Sequence, residues 1–220
     1  VLIGRKAEMS RPPPLQEITA MFMQDLTAFA PEQSFEVPMP LTTARPALSG
    51  LLTGTLVETA SGWQPVETLA PGARIQTLDG GLARLLRLAK RTIRPSDEVV
   101  LIHLPGGCLD ACSDLTLLPG QHLLVDTLDD ATLGGAPFAL VPALALLALD
   151  GPRRIRPEAP VAVVTPLFAE EEGLYAQSGV LFHCPSLIDG PQSYPENSFF
   201  PALDLATARD FLRRRAARLA

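Results

Sequence analysis

"SGLLTGTLVETASGWQPVETLAPGARIQTLDGG", residues 49–81, is the stretch that decides the fold of this 220-residue chain. Its apolar runs, "TLVET", "PVETL" and "ARIQTL", are short, and Gly or Pro interrupts each within a few residues. An amphipathic helix needs a longer unbroken period, so this punctuation predicts short strands joined by tight turns, with Asp79-Gly80 as a hairpin turn. The next segment, "LARLLRLAKRTI" (82–93), sets Arg84, Arg87 and Arg91 at helical spacing among good helix formers. A hairpin turn must be followed by a partner that pairs back on "ARIQTL", and the segment is therefore read as a strand.

Outward from this stretch the grammar changes. Leu15, Ile18, Phe22, Leu26 and Phe29 recur at spacings of three or four, which predicts one apolar helix face ended by Pro31. From Pro31 to Ser49 prolines recur without periodicity, the composition of an extended strap. At the other end "PALDLATARDFLRRRAARLA" turns helical again. The expected organisation is an N-terminal helix and proline-rich strap over 1–48, a β domain over 49–190 and a C-terminal helical segment over 191–220. The fold class is mainly β and antiparallel, with helices at both ends.

A hydrophobic share of 47% suffices for a packed core, while a net charge of −6 gives no general attraction to phosphate backbones, so nucleic acid is not an expected partner. The segment "VLIGRKAEMSRPPP" lacks the apolar core of a secretory signal, which implies a cytoplasmic protein or one exported without a Sec signal. The most apolar run, Phe138 to Leu149, is too short to cross a bilayer and reads as buried core. Three cysteines form an odd set, which argues for reduced thiols over a disulfide framework.

The ordered set Gly54-Thr55, Val57-Glu58-Thr59, Gly62, Pro65-Val66, Leu69, Pro71-Gly72, Ile75, Thr77 and Asp79-Gly80-Gly81 resembles the N-terminal block of the Hint superfamily, the Hedgehog and intein autoprocessing domains. It is most similar to bacterial Hint-domain proteins. The likeness resumes at "DLTLLPGQHLLVDT" (114–127) and at "VAVVTPLFAEEEGLYAQSGVLFHC" (161–184). Active members break a peptide bond by an acyl shift: a side-chain thiol or hydroxyl attacks the carbonyl before it, with donors for the oxyanion and a proton for the leaving nitrogen.

The resemblance puts the nucleophile five residues before Thr55, where this chain has Gly50, and a threonine three residues before His122, where it has Pro119. Ser49 carries a hydroxyl one position early, and a one-residue shift on a strand turns it to the opposite face. His122 is left as a proton donor near neutral pH, or as a histidine bonded to backbone through one ring nitrogen. Splicing inteins close with His-Asn and a following nucleophile, a pattern not found in these residues, so the resemblance implies no ligation. The resemblance therefore implies a domain that has lost self-cleavage, with Ser49, Gly50, Thr55, Pro119 and His122 as vestigial positions and no catalytic residue or cofactor expected. Such a chain would act as a binding or structural module for an unknown protein or for a second copy of itself. The alternative is an autoprotease that cuts near Ser49-Gly50.

A weaker alternative is a thiol or metal protein built on Cys108, Cys112, His183 and Cys184, with His122 nearby. Adjacent His183 and Cys184 on a strand point to opposite faces, so the expectation is no metal and three buried thiols. Glu170, Glu171 and Glu172 read as a solvated hairpin tip without partners, and the C-terminal arginines as complements of a helix dipole.

Overall fold

In the structure, a computed structural model, residues 49–78, 80–187 and 198–219 are described, and all lie in one compact unit, Ala44–Ala220. The predicted helix over 15–29 and the strap lie outside the described residues. The strands are β1 (Leu51–Leu52), β2 (Leu56–Thr59), β3 (Gly62–Pro65), β4 (Arg74–Thr77), β5 (Gly81–Arg84), β6 (Arg87–Ile93) and β7 (Leu101–Leu104). They continue as β8 (Leu115–Leu117), β9 (His122–Asp126), β10 (Phe138–Pro142), β11 (Arg153–Ile155), β12 (Val161–Leu167), β13 (Glu172–Tyr175) and β14 (Leu181–Cys184), and one helix, α1 (Leu205–Leu219), ends the chain.

The pairings between these strands are antiparallel, as expected. The largest sheet runs β10-β9-β14-β13-β4-β2-β3 with β5 beside β4, and two three-stranded sheets run β1-β12-β6 and β11-β7-β8. Alternation sets their faces: Val57 and Thr59 of β2, with Ile75 and Thr77 of β4, point inward while their neighbours are more exposed. In β9, Leu123, Leu124 and Val125 are all buried, because this strand is covered on both faces.

Segment 82–93 is extended, and it is also divided. Residues Gly81–Arg84 pair back on β4, the chain changes sheet at Leu85-Leu86, and Arg87–Ile93 pairs with β12. The fully buried Leu85 anchors the change. Helix propensity loses here because the preceding turn and the open flank of β12 both offer backbone partners. The apolar run from Phe138 forms β10 and then a 3₁₀ turn over Ala143–Ala148, with Ala139, Leu140, Val141, Ala143, Ala145 and Leu146 buried.

Asp204 starts α1 by accepting the backbone N–H groups of Ala206 and Thr207. Ala208, Phe211 and Leu212 are buried, and the helix packs on the 3₁₀ turn and β10. Its arginines do more than complement a dipole. Arg214 pairs with the nearly buried Asp130 at 3.0 Å, Arg215 with Asp110 at 2.6 Å, and Arg218 donates to the carbonyl of Asp129. Among the described residues no helix is long and apolar enough to cross a membrane.

Candidate functional site

Gly50 stands just before β1, which pairs with Val163 and Val164 of β12. Its φ is +126°, and a Cβ built there would lie 2.7 Å from Val163 Cγ1 and 2.9 Å from Thr165 Oγ1. Glycine is thus required twice over, by backbone conformation and by close approach. Its N–H donates to Gln121 Oε1 at 2.8 Å. On the other side of the same peptide bond, the Ser49 carbonyl accepts from the Arg91 guanidinium of β6 at 2.6 Å.

Gln121 enters through the turn that precedes β9. Its N–H closes on the Leu118 carbonyl across Pro119-Gly120, which aims the side chain into the protein, where the residue is only 2% exposed. Its Nε2 donates to the carbonyls of His122 and His183 at 2.8 and 2.9 Å. One amide thereby ties the entry to β1, the start of β9 and the end of β14, with every hydrogen and the oxygen committed. Ser49, Gly50, Gln121, Thr165, His183 and Cys184 line the hollow around it, a space of about 10 Å³. That is room for about one water molecule and no ligand.

His183 is buried beside this hollow, and its Nε2 lies 2.8 Å from Glu171 Oε2. Ser198 Oγ donates to the same oxygen at 2.7 Å, and the Phe199 N–H donates to Oε1. Burial alone would raise the Glu171 carboxyl; the donors His183, Ser198 and Phe199 outweigh it and hold the group below its ordinary value. The solvated, unpartnered tip expected for Glu171 is corrected accordingly. It is the buried histidine's partner, brought there because Glu172–Tyr175 and Leu181–Cys184 pair as a hairpin.

His122 has one ring nitrogen against backbone, the second of the two roles left open for it. Burial, and next the neighbouring His183, push its pKa down to about 4 against the pull of the Gly120 carbonyl, 3.1 Å from Nδ1. The ring is neutral at pH 7. Because the folded pKa lies below the unfolded value of 6.5, the unfolded chain takes up the proton first. The resulting destabilisation is absent above that value and grows toward the folded one, to at most about 3 kcal/mol. Glu171 acts in a lower window, its stabilisation being lost as pH falls through its depressed folded value. Urea midpoints are expected to fall between about pH 7 and pH 4.5, and much less so in His122→Phe. Equal pH slopes for the two proteins would refute this assignment.

The thiols divide. Cys184 is buried in the hollow, and burial followed by the Glu172 carboxylate pushes its pKa far up, so it stays a protonated thiol. Cys108 is half-buried, raised by burial and by Asp150, and Cys112 is exposed with its thiol toward the Gln177 carbonyl. The expectation of three buried thiols thus holds only for Cys184. His183 and Cys184 are both enclosed because both faces of β14 are covered. Among the described residues no group of three or more His, Cys, Asp or Glu is placed to hold a metal ion. Thr55 closes the turn after β1, its carbonyl accepting the Val66 N–H at 2.9 Å.

Sequence reasoning missed Arg91, Gln121 and Thr165. Gln121 left one signal, a primary amide set with His122 between the apolar pairs Leu117-Leu118 and Leu123-Leu124.

The family profile described as Hint domain matches residues 49–184, the span from the start of this site through β14. Among solved structures, the chain is similar to a splice-inactive variant of the AceL NrdHF class 3 split intein, at 12% identity over 63% of this chain and 99% of that one, with a TM-score of 0.44. It is also similar to a bacterial intein-like domain from Clostridium thermocellum, at 14% identity over 62% and 99%, with a TM-score of 0.40. For the MchDnaB-1 intein the values are 16% identity over 60% and 98%, with a TM-score of 0.39. A search of the curated proteins finds no match.

Proposed function

Since the chain belongs to the Hint-domain family, we propose that it is a Hint domain that has lost self-cleavage and serves as a binding or structural module. The observation that carries this reading is Gly50 itself, a residue without a nucleophile in a place that admits no side chain. The leaving-group side supports it too. A scissile nitrogen must gain a proton, whereas Gln121 offers Gly50 only an acceptor oxygen and spends both Nε2 hydrogens on carbonyls. His122 is neutral, and the one thiol in the hollow, Cys184, is protonated.

A second reading, an autoprotease cutting near Ser49-Gly50, draws on one observation. Arg91 polarises the Ser49 carbonyl as an oxyanion donor would, with Ser49, Thr165 and Cys184 all lining the same hollow. The two readings part on mass. The purified chain, incubated with hydroxylamine or with dithiothreitol to intercept esters and thioesters, is expected to keep a single intact mass. Two fragments meeting beside Ser49 would establish the second reading, and Ser49→Ala and Cys184→Ala would then identify the nucleophile.

A further inference from the structure

We infer that the hollow between the end of α1 and the loop joining β7 to β8 binds a small organic amine, an ammonium group carried on an apolar body. The hollow measures about 300 Å³, the lower end of the range of about 300–1,000 Å³ usual for ligand pockets. It shares no lining residue with the hollow at Gly50, so the inference stands whether or not the Ser49-Gly50 peptide is cut.

The apolar wall comes from three separate segments. Leu109 belongs to the loop, Leu149 follows the 3₁₀ turn after β10, and Leu212 and Ala216 belong to α1. The wall at Leu109 is held in advance. Leu109 and Asp110 stand at φ +49° and +63°, a left-handed backbone that L side chains rarely adopt. The Ala111 N–H closes that turn on the Cys108 carbonyl at 3.0 Å, and Arg215 of α1 grips the Asp110 carboxylate at 2.6 Å. A site fixed before its ligand arrives loses less on binding.

Charge selects the ligand. Asp150 and Arg215 both line the hollow, and only Arg215 is already committed, to Asp110 and, at 3.0 Å, to the Asp126 carbonyl. Among the described residues no cation pairs with Asp150. Its carbonyl lies 3.8 Å from the Cys108 thiol, a weak donor. Burial, and next the Asp150 carboxylate, push that thiol up, so the charge of Asp150 is felt within the hollow. An ammonium group, with three N–H donors, answers both the carboxylate and the carbonyl, whereas an acidic ligand would have to displace Asp110 from Arg215.

The test is a titration of the full chain with phenethylamine at pH 7, where an alkyl amine is protonated, followed by backbone amide NMR. Shifts are expected at Gly107, Cys108, Leu109, Leu149 and Ala216 and not at Gly50, with a Kd of about a millimolar or tighter. Phenethyl alcohol, which lacks the charge, and ethylamine, which lacks the ring, should each bind at least about tenfold more weakly. Asp150→Asn should weaken phenethylamine by a similar factor at an unchanged unfolding midpoint. Ala216→Phe, which fills the hollow from an exposed helix position, should abolish binding, while Ala217→Phe, exposed and outside the hollow, should leave it as it is. Should Asp150→Asn fold poorly, the two phenylalanine variants carry the comparison. Amide shifts that are absent, or as large for the alcohol as for the amine, or undiminished in a folded Asp150→Asn or in Ala216→Phe, would overturn the inference.

Discussion

Gly50→Cys is expected to cripple the fold without restoring cleavage. A side chain at φ +126° sits in a backbone region that costs about 1–3 kcal/mol for an L residue. The new Cβ would also enter the space of Val163 Cγ1 and Thr165 Oγ1, and overpacking of this kind adds about 1–3 kcal/mol. The loss, read as the difference in unfolding free energy from wild type, should therefore be roughly 2–6 kcal/mol, against total stabilities of about 5–15 kcal/mol for domains. Gly50→Ala should lose as much, because the cause is the Cβ and not the thiol. Adding Val163→Ala to Gly50→Ala should recover part of the packing loss and none of the backbone cost. A cysteine variant as stable as wild type, or one that cleaves rapidly, would show that the pocket still accommodates a nucleophile.

Gln121→Leu is the second large effect. The two side chains are close in size, so the change mainly deletes bonds: the Gly50 N–H and the carbonyls of His122 and His183 all lose their bond to the Gln121 amide in a small hollow. A buried donor left unsatisfied costs about 1–3 kcal/mol, so the Gly50 N–H alone predicts a loss of about 1–3 kcal/mol in unfolding free energy, and the two lost carbonyl bonds add to it. Gln121→Glu should behave differently with pH. Its carboxylate would face two carbonyl oxygens, which favours the protonated form and raises its folded pKa. The variant should then be worst at neutral pH and approach wild type as pH falls below the ordinary glutamate value of about 4.3. A deficit that is independent of pH would argue that Gln121 only fills space.

The strands were legible in sequence because Gly and Pro punctuate them, and segment 82–93 because the turn before it outweighs helix propensity. The same ordered pattern around Thr55 singled out Gly50, where the structure leaves no room for a Cβ. The groups that surround Gly50 were not legible. Gln121 meets Gly50 across 71 residues of chain, and Arg91 meets Ser49 across 42. Neither contact has a local pattern, because both are products of sheet order. Glu171 and His183 are closer in sequence, 12 apart, but only the register of the β13–β14 hairpin makes them partners. Consecutive glutamates therefore read as solvated when one of them is not. The tail arginines show the same limit: their periodicity announces a helix, and their partners Asp110 and Asp130 lie in loops far upstream.

Gln121 and Arg91 hold the Ser49-Gly50 peptide from both sides as a hydrogen-bonded lock. Hydrogen exchange of the Gly50 amide tests it most directly, since that N–H is the one joined to buried Gln121. In the wild-type chain the amide is predicted to exchange as slowly as those of β9 and β14, and in Gln121→Leu to become fast. Exchange of the wild-type Gly50 amide at the rate of an open loop would contradict the lock.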